Sequence, residues 1–192
     1  MPSPKILVVA GSIRTGALSG KLAALAAKEL ALADAEVTRI SLADYPLPIY
    51  NGDLEADKGI PENAVKLAKL IAAQQGVFIA TPEYNNSIPP LLKNAIDWVS
   101  RNRGGKDGIP FRNKVYGIGS TSDGMIGGAR ALIDCRKVVQ AGLGAILIPD
   151  KIEISRAQDA FDEAGELIPE PVAKLLKSLC RHMVELARQL GS

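Results

Sequence analysis

Cysteine, histidine and aromatic residues are scarce in this chain. Its 192 residues include two cysteines, one histidine, three phenylalanines, four tyrosines and one tryptophan. A structural zinc site needs more ligands, at closer spacing, than Cys135, Cys180 and His182 provide. We therefore expect no metal site and two reduced thiols in the core, as in a cytosolic protein. The few aromatic residues also leave little surface for stacking on nucleic-acid bases.

A strong charge imbalance and long apolar runs are also missing. The 23 Lys and Arg residues nearly balance the 21 Asp and Glu residues, and the net charge of +2 is too small to indicate a nucleic-acid partner. The first apolar run, Lys5–Ala10, is too short for a signal peptide or a membrane span. These features predict a cytoplasmic protein without membrane contact. The length and the 47% apolar content predict one domain over residues 1–192.

Short apolar runs alternate with helical patterns along the whole chain. The predicted strands are Lys5–Ala10, Glu36–Ile40, Gly76–Ala80, Lys114–Ser120 and Gly144–Ile148. The predicted helices are Ser19–Ala33, Pro61–Gln75, Pro89–Arg101, Gly127–Ala141 and Pro171–Leu190. The long connection Ala43–Ile60 is expected to be an irregular surface loop. Strict alternation favours an α/β fold with a parallel sheet and helices on both faces, and five strands fit the flavodoxin-like order 2-1-3-4-5.

The loop after the first predicted strand, Gly11–Ser19, has the composition of an anion site. It contains two glycines, several hydroxyls and the guanidinium of Arg14, and a helix follows it directly. Backbone N–H groups at a helix N-terminus attract anions, and an arginine fork matches phosphate oxygens. Arg14 could instead be an ordinary surface arginine, but its place in a Gly/Ser loop before a helix favours phosphate binding.

Two common phosphate-binding motifs do not fit the chain. A Walker loop ends in Gly-Lys-Ser/Thr, whereas this loop has Gly16-Ala17-Leu18. A dinucleotide fingerprint is broken at Ser12-Ile13, and the stretch Gly117–Ser122 begins like one but ends in serine. Neither a P-loop NTPase nor a Rossmann dehydrogenase is therefore supported.

A second informative loop follows the third predicted strand, within the stretch Thr81–Trp98. It is rich in turn-forming residues and leads into a helix, for which Ser87 is the predicted cap and Pro89 and Pro90 suit the first turn. In the order 2-1-3-4-5, the loops after strands one and three flank the point where the strand order reverses. Ligands bind at that point in open parallel sheets, so both loops are expected to share one site.

Together, Gly11-Ser12-Ile13-Arg14 and the stretch Thr81–Pro89 resemble the NAD(P)H-dependent FMN reductase family, most closely its bacterial quinone and chromate reductases. The resemblance extends to Leu92–Trp98 and to Gly124–Arg130. It implies a flavodoxin-like fold, bound FMN, NADPH or NADH as electron donor, and a homodimer or homotetramer. It also implies a small-molecule acceptor such as a quinone, and further candidates are chromate, azo compounds and free flavin.

The resemblance also assigns the site residues. Those expected to bind the cofactor are Ser12, Arg14, Gly16, Ala17, Leu18, Ser19, Pro82, Glu83, Tyr84, Asn85, Ser120, Thr121 and Gly124. Tyr84 and Arg101 are expected to contact the substrate. No catalytic side chain is expected, because FMN carries the hydride chemistry, in a ping-pong reaction.

The phosphate loop departs from the family pattern at two positions. Relatives usually have serine at the position of Ala17 and asparagine at that of Ser19, and both help to hold the phosphate. Ala17 can offer only its backbone N–H, and Ser19 is expected to replace one lost side-chain contact. The side chains of Ser12, Arg14 and Ser19 would then carry the phosphate.

Several residues near the predicted site have two interpretations. The Tyr84 side chain borders the flavin and substrate slot, or it packs against a partner subunit. The backbone N–H groups of Tyr84 and Asn85 are the preferred contacts for the flavin ring, and Glu83 is interpreted as a structural carboxylate at a loop or subunit contact. The hydroxyls of the stretch 120–124 either line the flavin or substrate pocket or satisfy their own turn.

A basic stretch and two other functional classes complete the predictions. The basic residues are Arg101, Arg103, Lys106, Arg112 and Lys114. They form a solvated loop, or they steer anionic substrates such as NADPH or chromate. A flavodoxin-type electron carrier is disfavoured because such carriers are usually strongly acidic. A non-catalytic flavin-binding module stays open, because fold alone does not fix function.

Overall fold

The computed structural model of the chain describes residues 2–103 and 109–190, and a parallel β-sheet lies at its centre. The strands are β1 (Lys5–Ala10), β2 (Glu36–Ile40), β3 (Gly76–Pro82), β4 (Val115–Thr121) and β5 (Ile146–Ile154). All neighbouring strands pair in parallel, in the order β2-β1-β3-β4-β5. The predicted flavodoxin-like order is therefore confirmed.

The last strand is longer than predicted and begins later. Its register against β4 shifts between Tyr116 and Ile118, which pair with Leu147 and Lys151. Pro149 lies inside this irregularity, where no N–H is needed for the ladder. The sequence pattern ended the strand before this proline, whereas the bulge lets the edge strand continue to Ile154.

Helices flank the sheet on both sides, as predicted. They are α1 (Leu18–Leu32), α2 (Gly52–Lys58), α3 (Glu62–Ala72), α4 (Pro90–Ser100), α5 (Ala129–Arg136) and α6 (Glu170–Leu190). A π-helical turn, Lys137–Gly142, continues α5. The connection Ala43–Ile60 was wrongly predicted to be irregular, because it contains α2. The Asn51 side chain caps this helix by accepting the N–H of Asp53 at 2.8 Å, and its lack of any buried residue left no periodic pattern to detect.

Two apolar layers hold the helices against the sheet. On one face, α1 and α6 pack on the strands, with Leu22, Leu30 and Met183 fully buried. Helices α3, α4 and α5 form the layer on the other face. In β4, a Cβ on Gly119 would lie 2.6 Å from Ile152 and 2.9 Å from Leu22. The glycines of β4 thus permit close packing, which explains the partial resemblance to a dinucleotide fingerprint.

Several side chains that carry polar groups are buried in the core, among them the two thiols, as predicted. The indole of Trp98 is fully buried and donates its N–H to the carbonyl of Pro48 at 2.8 Å. Cys135 and Cys180 are free and buried, and burial raises the pKa of Cys135 to about 12. Neither thiol is suited to act as a nucleophile at neutral pH. In the described part of the chain, no helix has the length and apolarity needed to cross a membrane.

Candidate active site

Three loops meet at the carboxyl ends of β1, β3 and β4 and enclose a cavity of about 270 Å³. The lining residues are Ser12, Arg14, Ala17, Leu18, Ser19, Pro82, Glu83, Tyr84, Thr121, Ser122, Asp123 and Gly124. The structure thus brings most of the predicted cofactor-binding residues to one place. Ser122 and Asp123 also line the cavity. For the hydroxyl of Ser122 this was one of the two interpretations of the stretch 120–124, whereas no role was predicted for the Asp123 side chain.

The β1–α1 loop turns tightly before the helix begins. Gly16 has a φ of +70°, a conformation that favours glycine, and the N–H of Ala17 donates to the carbonyl of Arg14 at 3.0 Å. The Ala17 N–H is therefore engaged within the loop, contrary to the expectation that it would face a phosphate. Among residues 2–103 and 109–190, the N–H groups of Leu18 and Ser19 have no hydrogen-bond acceptor. These two backbone N–H groups of the first helical turn are available to donate hydrogen bonds to an anion.

Two buried hydroxyls on the cavity wall lack a partner. Ser19 Oγ at the start of α1 and Thr121 Oγ1 at the end of β4 make no hydrogen bond within the described residues. Their side chains belong to residues only 1% and 3% exposed. Leaving a buried polar group unpaired costs about 1–3 kcal/mol. A ligand with polar groups at both ends of the cavity would satisfy them, and FMN has a phosphate and a polar ring edge.

The cationic side chain of the cavity lining, that of Arg14, is available to an anionic ligand. Arg14 is exposed, and its guanidinium has no ion-pair or hydrogen-bond partner in the described ranges. The carboxylate of Asp123, in contrast, accepts the backbone and side-chain N–H groups of Gln158 at 3.1 and 3.0 Å. The cationic group is thus available to a ligand, while this acidic group is held by the protein.

The β3–α4 loop forms a tight reverse turn at the cavity mouth. The N–H of Tyr84 donates to the carbonyl of Ser87 at 2.9 Å, and the N–H of Ser87 returns to Tyr84 at 3.0 Å. Asn85 and Asn86 between them have φ values of +48° and +63°, which asparagine tolerates better than most residues. The Tyr84 N–H already donates its hydrogen bond within this turn. The structure therefore contradicts the prediction that this N–H contacts the flavin ring. The Tyr84 side chain is 45% exposed and lines the cavity.

Side chains of the same turn are tied to α5. Ser87 Oγ donates to Asp134 Oδ2 at 2.6 Å, and Arg130 Nη1 donates to Asn86 Oδ1 at 3.2 Å. The hydrogen bond from Ser87, and then that from Lys137, lowers the pKa of Asp134 below its ordinary value. The prediction that Ser87 caps α4 was wrong, because the N-cap of this helix is Pro89 and no side chain caps it.

Glu83 has the structural role expected of it. Its Oε2 accepts the backbone N–H groups of Arg130 and Ala131, each at 3.1 Å, and so caps the first turn of α5. Gly128, the residue before this helix, has a φ of +82° that brings the two N–H groups towards the carboxylate. Residues nearly fifty positions apart make this contact, so no local pattern in the sequence could reveal it.

The remaining predicted cofactor residues lie just outside the cavity. Ser120 is fully buried and donates its hydroxyl to the carbonyl of Gly127 at 2.6 Å. Ser122 Oγ accepts the N–H of Gly124 at 3.2 Å. Both interpretations of this stretch therefore apply. Thr121 and Ser122 line the cavity, while the hydroxyls of Ser120 and Ser122 bond to backbone groups. Asn85 is in the exposed turn described above, and Gly16 faces a neighbouring groove.

Two described residues of the basic stretch, Arg101 and Lys114, are engaged by the protein itself. Arg101 Nε donates to Glu55 Oε1 at 2.9 Å, and its guanidinium lies 5.8 Å from the ring centre of Tyr50. Arg101 was predicted to contact the substrate, but it is not among the lining residues of the cavity. Lys114 is buried and donates to the carbonyls of Ala72 and Gln74 at 2.8 and 2.7 Å. Lys114 was therefore wrongly placed in a solvated cluster, because it binds carbonyls at the end of α3. Lys106 lies outside the described residues.

The sheet order and the three loops define the class of protein. A flavodoxin-like sheet with an anion cradle after β1 and a slot between the loops after β3 and β4 is the arrangement of a flavin-binding protein. The model of the family described as NADPH-dependent FMN reductase matches residues 4–159 of this chain. The chain belongs to that family.

Individual relatives agree with this assignment. A quinone reductase of Escherichia coli is 39% identical over 136 residues, which are 70% of this chain and 69% of that protein. An NAD(P)H-dependent FMN reductase of Pseudomonas aeruginosa is 33% identical over 187 residues, covering 97% and 96% of the two chains. Among solved structures, the flavoenzyme NAD(P)H:(acceptor) oxidoreductase FerB of Paracoccus denitrificans superposes with a TM-score of 0.76 at 28% identity, covering 97% of this chain and 98% of FerB.

Proposed function

We propose that this chain is an FMN-dependent NAD(P)H oxidoreductase that reduces quinones. The observation that carries the proposal is the cavity where three strands end, with unpartnered donors at its phosphate end and an unpartnered hydroxyl, that of Thr121, on the β4 side. The name of the Escherichia coli relative supports a quinone as the acceptor, and that of the Pseudomonas aeruginosa relative supports NAD(P)H as the donor.

The residues of the cavity would divide the binding of FMN between them. Ser12, Arg14 and Ser19, with the N–H groups of the first α1 turn, would hold the phosphate. Pro82, Thr121 and the other lining residues of the loops after β3 and β4 would border the ring. When bound, FMN would supply the hydride chemistry between NAD(P)H and the acceptor.

No side chain of the cavity is needed as a catalytic acid or base. Glu83 caps α5, and Asp123 is held by Gln158, so both carboxylates of the lining have structural partners. Tyr84, exposed at the mouth, is the side chain best placed to contact the nicotinamide and then the quinone. Its role is to position these molecules and to exclude water.

One cavity mouth would serve the donor and the acceptor in turn, which predicts ping-pong kinetics. Double-reciprocal plots of NAD(P)H oxidation against quinone concentration should give parallel lines, and the oxidised nicotinamide should compete with quinone for reduced enzyme. Intersecting lines would contradict the shared mouth. A protein that binds FMN without steady NAD(P)H oxidation would instead be an electron carrier or a flavin-binding module.

The acceptor range and the cofactor need a direct test. Purified protein should show flavin absorbance, and heating should release FMN. A panel of quinones, chromate, azo compounds and free flavin, assayed with NADH and with NADPH, would identify the acceptor and the preferred donor. Failure to bind FMN at high cofactor concentration would contradict the whole proposal.

A homodimer or homotetramer is part of the proposal. Apolar side chains are exposed close to the cavity, where Met125, Ile126 and Ile133 are 82%, 44% and 67% exposed. A partner subunit covering α5 would bury them beside the Tyr84 turn, and light scattering on the purified protein would give its mass. A monomer at micromolar concentration would contradict this part alone. A cytoplasmic location agrees with the NAD(P)H donor and with the free thiols of Cys135 and Cys180.

A further inference from the structure

A second and larger groove lies on the other side of the β1–α1 loop. Its volume is about 590 Å³, within the usual range for small-molecule sites. It is bordered by the loop after β1, the first turns of α1, the end of β2 and the turn that follows β2. Ser12, Arg14 and Ala17 line both this groove and the flavin cavity, so the phosphate loop forms the wall between them.

The groove is rich in positive charge. Arg14, Lys21 and Arg39 line it, and Asp44 is the only acidic residue among its lining residues. In the described residues the guanidinium of Arg39 has no ion-pair or hydrogen-bond partner, and the Lys21 ammonium lies 5.7 Å from the ring centre of Phe161. Two planar guanidinium groups, neither of them paired with a carboxylate of the described residues, are suited to phosphate oxygens.

Apolar and hydroxyl groups complete the surface of the groove. Ile13 is 52% exposed, and Ile40 and Ala24 also lie on its wall. Ser41 Oγ accepts the N–H of Ala43 at 3.2 Å, which leaves its own hydrogen free to donate. Apolar walls can pack on a purine, while Ser41 and Asp44 can bond ribose hydroxyls.

We infer that this groove binds an adenosine phosphate group, beside the flavin phosphate. This inference rests on the proposed function, because the two possible sources of the group belong to that chemistry. One source is the phosphoadenosine end of NADPH, and the other is the adenylate half of FAD, which is joined to the flavin through the phosphate. Both would place a purine and a phosphate where the groove provides apolar walls and arginines.

The first experiment measures nucleotide binding without turnover. Adenosine 2′,5′-bisphosphate and 5′-AMP are titrated separately into FMN-loaded protein by calorimetry. At least one of the two nucleotides should bind. Arg39→Ala should weaken the affinity for that nucleotide by about tenfold or more, as expected for the loss of one charge-assisted contact of about 1.4 kcal/mol. Arg181→Ala, which removes an exposed arginine of α6, is the matched control and should leave the affinity unchanged. Absence of binding for both nucleotides, or equal weakening by the two variants, would overturn the inference.

A second experiment separates the two sources. If the group belongs to NADPH, Arg39→Ala should raise the KM for NADPH relative to that for NADH by about tenfold. If it belongs to FAD, the same variant should weaken FAD relative to FMN in a fluorescence titration. The inference is contradicted if Arg39→Ala changes neither the KM for NADPH relative to NADH nor the affinity for FAD relative to FMN. Wild-type protein that binds FMN and oxidises NADH, but binds neither nucleotide, would leave the proposed function intact while this inference fails.

Discussion

The loops after β1 and β3 border the same cavity but hold their polar groups in opposite ways. In the β3–α4 loop, Glu83, Asn86 and Ser87 all bond to α5. In the β1–α1 loop, the guanidinium of Arg14 and the hydroxyl of Ser19 have no partner among the described residues. The protein itself therefore holds the polar groups of the β3–α4 loop in place, whereas those of the β1–α1 loop stay available to a ligand, which we propose is the phosphate of FMN.

This difference predicts whether a substitution changes cofactor affinity or the stability of the fold. Changes in the β1–α1 loop should alter cofactor affinity and leave folding nearly unchanged. Changes in the β3–α4 loop should alter stability, because they remove contacts that exist without a ligand. The following substitutions test that contrast.

Arg14→Ala should have the largest effect, and it should act on FMN binding. Loss of a hydrogen bond to a charged group predicts a weakening of about 1.5–3 kcal/mol for FMN and little change for riboflavin, which has no phosphate. Fluorescence titration of both flavins measures the contrast. Arg14→Lys keeps the charge but loses the planar fork, so it should lie between the wild type and alanine. Equal losses for FMN and riboflavin would show that Arg14 acts through the fold.

Glu83→Ala should act on stability instead. The first turn of α5 would lose the acceptor of two N–H groups, which predicts a loss of about 0.5–2 kcal/mol in the free energy of unfolding, the range for removing a helix cap. Urea denaturation of the flavin-free protein measures it. Glu163→Ala removes an exposed glutamate elsewhere and should have little effect. Unchanged stability in the Glu83 variant would contradict the idea that the contacts of the β3–α4 loop stabilise the fold.

Ala17→Ser tests whether one side chain can both cap α1 and bind the phosphate. Ala17 is the N-cap of α1 and lines the cavity, but its side chain caps nothing. A serine hydroxyl there could accept a first-turn N–H and donate to the phosphate. We expect FMN to bind tighter by on the order of 1 kcal/mol, the value of one net hydrogen bond. Denaturation without flavin should show a gain of about 0.5 kcal/mol from capping. A gain in stability without tighter FMN binding would mean that the hydroxyl does not reach the phosphate.

Ser87→Ala should have the smallest effect, and that effect should depend on pH. The hydrogen bond from Ser87 is the main cause of the lowered pKa of Asp134 in the folded protein. A lowered pKa stabilises the fold above the ordinary aspartate range near ~3.9 and loses this contribution as the pH falls through the lowered value. The variant should therefore be less stable than wild type at neutral pH, by an amount that shrinks in acid.

Urea denaturation at several pH values measures that difference. Ser100→Ala is the matched control, because the Ser100 hydroxyl donates to the carbonyl of Asp97 at 2.7 Å, which does not titrate. Its effect on stability should be nearly independent of pH. A Ser87 variant that shows the same loss at every pH would contradict the link to Asp134.

Much of the fold and of the site could be predicted from local pattern. Alternating apolar runs and helical stretches indicated a parallel sheet of five strands, which fits the order that the structure confirms. The Gly/Ser loop before α1 indicated the candidate anion site. The errors lay where distant residues decide. Ser87 looked like a helix cap because it precedes Pro89, yet it bonds to Asp134 in another helix. Lys114 looked like a surface lysine, yet the carbonyls at the end of α3 bind it in the interior.

The sequence by itself determined the alternation of strands and helices and the residue types of the loops, including the charge of Arg14 and the hydroxyl of Ser19. These depend on periodicity and on residue type, which are local properties. Only the tertiary structure decided which polar groups are available to a ligand. Glu83 and Ser120 carry groups as suitable as those of Ser19, but α5 and the carbonyl of Gly127 occupy them. Whether a donor or acceptor is free depends on what the fold packs against it, and that partner can lie anywhere in the chain.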